Sequence, residues 1–253
     1  MTMHIVSKRV VVALLVAGWA QIASAQTADE VVEKHLAALG GRAALAKLQS
    51  RQMVGTITLS LPTGGDVTGS VEALNAVPNK ARTLIKLDLT ALGAGPIQID
   101  QRFNGTAGYM LDSMQGDRPI VGSQLENMKS AAFPTAFLNY QERGATVELK
   151  GKEKVGGKDA YVLIVTPKDG AVARQYVDAE SYLLVRMVAT VDVPGMGALD
   201  QTSDLFDQRD VDGVKVPFLV KSTSAAQSFT INVTKVEHNV TVDEKLFVKP
   251  GGL

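Results

Sequence analysis

Residues 51–89 read RQMVGTITLSLPTGGDVTGSVEALNAVPNKARTLIKLDL, and the pattern has a period of two. In the first run Met53, Gly55, Ile57, Leu59 and Leu61 share one face, while Thr56, Thr58 and Ser60 share the other. The turn PTGGD follows, and the next run sets Val67, Val71 and Ala73 on one side. After VPNK, Ile85, Leu87 and Leu89 oppose Arg82, Lys86 and Asp88. Such alternation predicts antiparallel strands in a meander, with one face towards a core and the other towards water. Further strands are expected near 97–103, 107–111, 146–150, 161–166, 174–178, 183–190, 200–206, 214–220 and 229–236.

Outside these runs the period changes. Thr27 and Glu30 have capping-box spacing, and Val32, Leu36 and Leu39 then give a helix one apolar stripe. Gly40 and Gly41 end that helix, and Ala44, Leu45 and Leu48 stripe a second, so 28–49 reads as a helical hairpin. Alternation fails again over 123–140, where Leu125, Met128 and Ala132 recur at helical spacing and Pro134 forces a break. Two short helices are expected there. The fold class is then α+β, mainly antiparallel β. A sheet of about ten to twelve strands must curl or split. A curled, unclosed half-barrel with an N-terminal helical hairpin and a central helical lid satisfies that requirement.

Lys8 and Arg9 precede the apolar run VVVALLVAGWA, which leads into ASA before Gln26. This is the layout of a secretory signal peptide over 1–25, leaving 26–253 as a single exported domain, periplasmic or otherwise extracytoplasmic. The 253 residues include no cysteine, which excludes disulfides, thiolate metal sites and a Cys nucleophile. Basic and acidic residues number 26 each, so losing Lys8 and Arg9 leaves a net charge of about −2. Charges of both signs are mixed along the chain, and nucleic acid is not an expected partner. Aromatics at 5% cannot supply the girdles of a membrane-spanning barrel.

Little in the sequence suggests catalysis. Beyond the leader only His35 and His238 remain, and no HxH or HExxH spacing brings metal ligands together. His35, at the edge of the first helical stripe, is expected to be partly exposed. No G-x-S-x-G elbow occurs, and Asp210 and Asp212 in RDVDGVKVP read as hairpin turn chemistry. The expectation is a non-enzymatic protein with no cofactor and no metal.

The order of elements carries a resemblance. A helical hairpin ending AALGG leads into a long meander, then GKDAYVL and YVDAESYLLVRM, then RDVDGVKVPFLVKS, FTINVTKVEHN and the close VDEKLFVKP. The whole resembles the periplasmic lipoprotein-sorting carriers of the LolA/LolB-like family. That resemblance implies an unclosed β-barrel covered by helices, with an apolar cavity that receives the acyl chains of a lipid or lipoprotein. Membrane-bound donor and acceptor proteins are the further partners expected of such a carrier, itself a monomer.

Acyl chains suit a face lined by aliphatic side chains, because each buried CH₂ contributes ~0.8 kcal/mol without directional demands. The expected lining is Ile57, Leu59, Ile85, Leu87, Met187 and Phe229, with Met128, Phe133 and Phe137 closing one end. Met196 belongs to one of two glycine-bearing loops, 90–96 and 193–199, expected to act as mobile lips. The competing reading is a filled core on a module that docks a partner protein.

Overall fold

The computed structural model describes residues 26–61, 64–193 and 196–251, so the expected signal peptide lies outside the described residues. Helices α1 (Ala28–Ala38) and α2 (Arg42–Ala46) open the chain. Six strands follow: β1 (Ser50–Ser60), β2 (Asp66–Ala76), β3 (Lys80–Asp88), β4 (Pro96–Phe103), β5 (Gly108–Asp112) and β6 (Arg118–Ile120). Helix α3 (Gly122–Ser130) interrupts the run before β7 (Thr146–Val155), β8 (Lys158–Thr166), β9 (Ala173–Asp178) and β10 (Leu184–Val193). The last strands are β11 (Gly197–Val211), β12 (Val214–Thr223) and β13 (Ser228–His238).

All thirteen strands form one sheet in the order β6-β5-β4-β3-β2-β1-β13-β12-β11-β10-β9-β8-β7. Two meanders are thus joined at the centre, where the first and last strands pair. The edge strands β6 and β7 do not pair with each other, so the sheet stays unclosed, as expected of a half-barrel. The strand beyond the expected ten to twelve is β6, whose three residues are too few for alternation to show.

The segment between β6 and β7 links the two free edges. Its first helix forms as α3, but the second, expected after Pro134, does not; turns occupy residues 136–144 instead. Ala131 is already extended, with ψ at 95°, and Asn139 has a positive φ of 51°. The residue before a proline is also steered away from helical geometry. The exposed edge β7 carries Lys150, Lys152 and Lys154, charges that discourage strand-to-strand association.

The helical hairpin folds as its caps dictate. Thr27 accepts from the Glu30 amide, and the Glu30 carboxylate accepts from the Thr27 amide. Val31, Val32 and Leu36 are fully buried. Two positive-φ residues, Asp212 and Gly213, make the tight β11–β12 turn that the sequence signalled. The hairpin seats on this turn: a Cβ at Gly40 would stand 2.1 Å from the Gly213 carbonyl oxygen, so only glycine fits there. The Lys215 amide donates to the Leu39 carbonyl at 2.9 Å.

His35 departs from expectation. It is buried at 1% exposure; its ring lies edge-on to Phe137 at 5.1 Å and its Nδ1 is 2.8 Å from the Tyr182 carbonyl. The helical stripe is wider than its aliphatic residues alone indicate, and a carbonyl partner offsets the cost of burying the imidazole. Phe137, Leu163, Val177 and Val214 form one buried cluster with Val31, Val32 and Leu36 of α1, and His35 is buried beside Phe137.

Candidate functional site

Strand register shows which side chains share the inner face, because directly paired residues project to the same side. Ile57 stands opposite Gly69 on one neighbour and Ile231 on the other, and Leu59 opposite Val67 and Phe229. Ile85 pairs with Val71 and Ile99, and Leu87 with Gly69 and Ile97. Five expected lining residues, Ile57, Leu59, Ile85, Leu87 and Phe229, therefore fall in one aliphatic cluster on β13, β1, β2 and β3. Only Ile57, Val67, Val71 and Leu87 are buried there; Leu59, Ile85, Ile97, Phe229 and Ile231 remain partly exposed. The cluster is an apolar trough rather than a sealed core.

Two glycines shape it. A Cβ at Gly69 would lie 2.0 Å from the Lys86 carbonyl oxygen, and one at Gly55 2.3 Å from the Asn232 carbonyl oxygen. Glycine permits so close an approach of the neighbouring backbone. Beside Gly55 the β1–β13 register slips at a bulge, which adds to the curl.

Helices cover other parts of the sheet. Helix α1 packs near β7, and α3 lies over β10. Asn127 anchors α3 by donating to the Thr190 carbonyl at 2.7 Å, and Ser130 donates to the Ala171 carbonyl at 2.7 Å. No residue of α3 is fully buried, and these polar contacts help hold the helix against the sheet. Met128 is half-buried on it, and Met187 is half-buried on β10 opposite Ser203. Phe133 and Phe137 sit deeper, in the α1 core cluster. Met196 is exposed at the β10–β11 turn, whose residues 194 and 195 lie outside those described.

Two hollows flank these elements. Beneath the insert, Ala132, Ala136 and Val165 together with Lys129, Arg143 and Lys168 line a part-open cavity of about 470 Å³. Near the 89–95 loop, Gly69, Leu87 and Ile97 line a more open hollow of about 490 Å³. The 89–95 loop itself is a short 3₁₀ turn closed by Gly93 in the left-handed region.

Sequence reasoning missed one constellation. Arg51 shares the inner face with Met53 and Ile57, and it pairs across the strands with His238. Its Nε donates to His238 Nε2 at 3.0 Å, and the guanidinium lies 5.4 Å from the centre of the Phe133 ring. Burial pushes the Arg51 pKa down to about 10. His238, with its side chain 2% exposed, faces the Asp212 carboxylate at 3.3 Å through Nδ1. Its pKa is lowered by burial and by Arg51, against an opposing pull from Asp212. The signal was present in RQMVGTITL, where an arginine occupies the first apolar-face position.

On the outer face, Asp100 takes a two-point contact from Arg82 at 2.8 Å and another bond from Arg102 at 2.7 Å. Burial raises the Asp100 pKa, but the two arginines outweigh it and hold the carboxyl below its usual value. Among the described residues no group of three or more His, Asp or Glu is placed to hold a metal, and no helix is long and apolar enough to cross a membrane.

Comparison with solved structures bears on this architecture. A LolA superfamily protein from Nitrosomonas europaea superposes with a TM-score of 0.56 at 16% identity, over 89% of this chain and 99% of its own. The chain has a LolA-like fold. A DUF1329 family protein from Desulfovibrio piger gives 0.54 at 16% identity, over 89% and 99%. An outer-membrane lipoprotein-sorting protein domain from Vibrio parahaemolyticus gives 0.50 at 14%, over 86% and 94%. No protein-family model and no curated protein matches the chain.

Proposed function

We propose that this protein is an exported, non-enzymatic carrier that holds acyl chains of a lipid or lipoprotein in the trough and moves them between membranes. The observation that carries this reading is the half-exposed aliphatic surface around Leu59, Ile85, Ile97, Phe229 and Ile231 on the inner face of an unclosed sheet. A monomeric protein left with such a concave apolar surface gains from covering it, and flexible hydrocarbon conforms to it without directional bonds. Ile57, Leu59, Ile85, Leu87 and Phe229 form the wall in this reading. Met187 and Met128 adapt to cargo from the lid side, Met196 stands at the lip, and Phe133 and Phe137 are the stop at the closed end. Donor and acceptor proteins in the two membranes would load and unload it.

Native mass spectrometry with lipid extraction, on protein purified from its export compartment, tests the proposal. Co-purifying lipid or lipoprotein supports it. A clean apo mass, with no uptake of a fluorescent fatty acid by the delipidated protein, overturns it in favour of a module that docks a protein partner.

A further inference from the structure

Arg51 is hard to explain as a structural residue alone. Its side chain lies within the half-barrel and its pKa is depressed by burial, yet among the described residues no carboxylate lies within ion-pairing distance of it. The arginines of the outer face are differently placed. Arg82 and Arg102 neutralise Asp100, and Arg186 makes a two-point contact with Asp204 at 2.6 and 3.0 Å. Arg51 instead spends its Nε on a neutral acceptor, His238 Nε2, and its flat face on the Phe133 ring. Among the described residues no acceptor is bonded to its two terminal nitrogens.

Those nitrogens stand at the end of a track. On β1 the inner-face positions run Arg51, Met53, Gly55, Ile57, Leu59, flanked by Val233, Ile231 and Phe229 on β13. Arg51 and Leu59 are eight residues apart, roughly 26 Å at the rise of a strand, which suits a long-chain acyl group. At the Phe133 end of the aliphatic track, a guanidinium offers an esterified chain only a bond to a neutral carbonyl, whereas it offers a free acid a charge-assisted pair. It suits a chain that ends in an oxyanion. The guanidinium fork matches the two oxygens of a carboxylate, as the Arg82–Asp100 contact shows in this same protein.

Building on the acyl-carrier reading, we propose that the cargo is a free long-chain fatty acid, its carboxylate held by the terminal nitrogens of Arg51 and its chain laid along β1 towards Leu59. His238 then serves as a positioning residue: by accepting from Nε it fixes the plane of the guanidinium and directs the free edge at the ligand. The Asp212 carboxylate, 3.3 Å from Nδ1 on the far side of the imidazole, favours the proton on Nδ1, so that Nε2 keeps its lone pair.

The test compares palmitate with hexadecanol, which keeps the chain and removes the charge, on delipidated protein by isothermal titration calorimetry. Palmitate is expected to bind at least tenfold more tightly than hexadecanol to the natural protein. In Arg51→Gln the preference for palmitate over hexadecanol should be lost. Carbon-13 NMR of carboxyl-labelled palmitate should show the carboxylate signal shifted in the natural protein and not in Arg51→Gln. Equal binding of the two ligands to the natural protein overturns the assignment of Arg51 while leaving an acyl carrier standing, and it needs no variant to fold. Failure of both ligands to bind removes the carrier reading itself. Binding of hexadecyl phosphate in clear preference to palmitate would overturn the carboxylate in favour of a phosphate head.

Discussion

The two halves of the inner face are built from the same kinds of residue and end in different states. Around α1, Val31, Val32, Leu36, Phe137, Leu163 and Val177 are all fully buried. Around β1–β3 the aliphatic residues alternate as regularly, yet only four of that cluster are buried. The first half has a helical hairpin seated on it through Gly40 and the Asp212–Gly213 turn; among the described residues the second has no α-helix packed closely over it, and the 3₁₀ turn Glu244–Phe247 meets β3 and β4 from the outer face. Covering determines whether an apolar face becomes core or surface. The first half is buried core, and the second keeps apolar surface exposed.

The largest effect should come from the covered half. Phe137→Ala removes a ring with no exposure and leaves a cavity beside His35, at an expected cost of about 3–5 kcal/mol in chemical denaturation. A cost below about 1 kcal/mol would mean that this half is not the stabilising one.

The uncovered half should answer in binding rather than in stability. Leu59→Asn changes a half-exposed trough residue, so folding should lose less than about 1 kcal/mol while uptake of a fluorescent fatty acid falls about tenfold, or ~1.4 kcal/mol. If the variant melts early and binds normally, the contrast between the halves fails.

A smaller effect depends on pH. His35 has its pKa lowered by burial, partly opposed by its bond to the Tyr182 carbonyl; His238 is lowered by burial and by Arg51. Both groups prefer to be neutral in the fold and take up protons more readily when unfolded. Their contribution to stability is therefore full above the ordinary histidine value of 6.5 and declines as pH falls through it towards the folded values. The melting temperature should drop between pH 7.5 and 5.5, and His238→Asn should flatten part of that slope. An unchanged slope would show that His238 titrates alike in both states.

Much of the fold was legible because strands and helices announce themselves by period. Met53 to Leu61 gave the inner face of β1, and Thr27 with Glu30 gave the start of α1. What escaped had no period to show. Strand β6 is three residues long, and the helix expected after Pro134 was undone by extended and left-handed backbone at Ala131 and Asn139. Of the expected lining, Ile57, Leu59, Ile85, Leu87 and Phe229 come together because register carries alternation from strand to strand. Met128, Met187 and Met196 are dispersed over lid, wall and tip, since methionine content says nothing about where a chain turns. The partnership of Arg51 with His238 spans nearly the whole sequence and arises only because β1 pairs with β13.

The sequence by itself determined a mainly antiparallel sheet with one apolar face, a capped helical hairpin before it and a break in the middle, since these follow from local sterics and the spacing of side chains. Only the tertiary structure decided which stretch of that face is buried and which is left open. That depends on where two short helices land, on the glycines that let neighbouring backbone approach closely, and on the pairing of the first strand with the last.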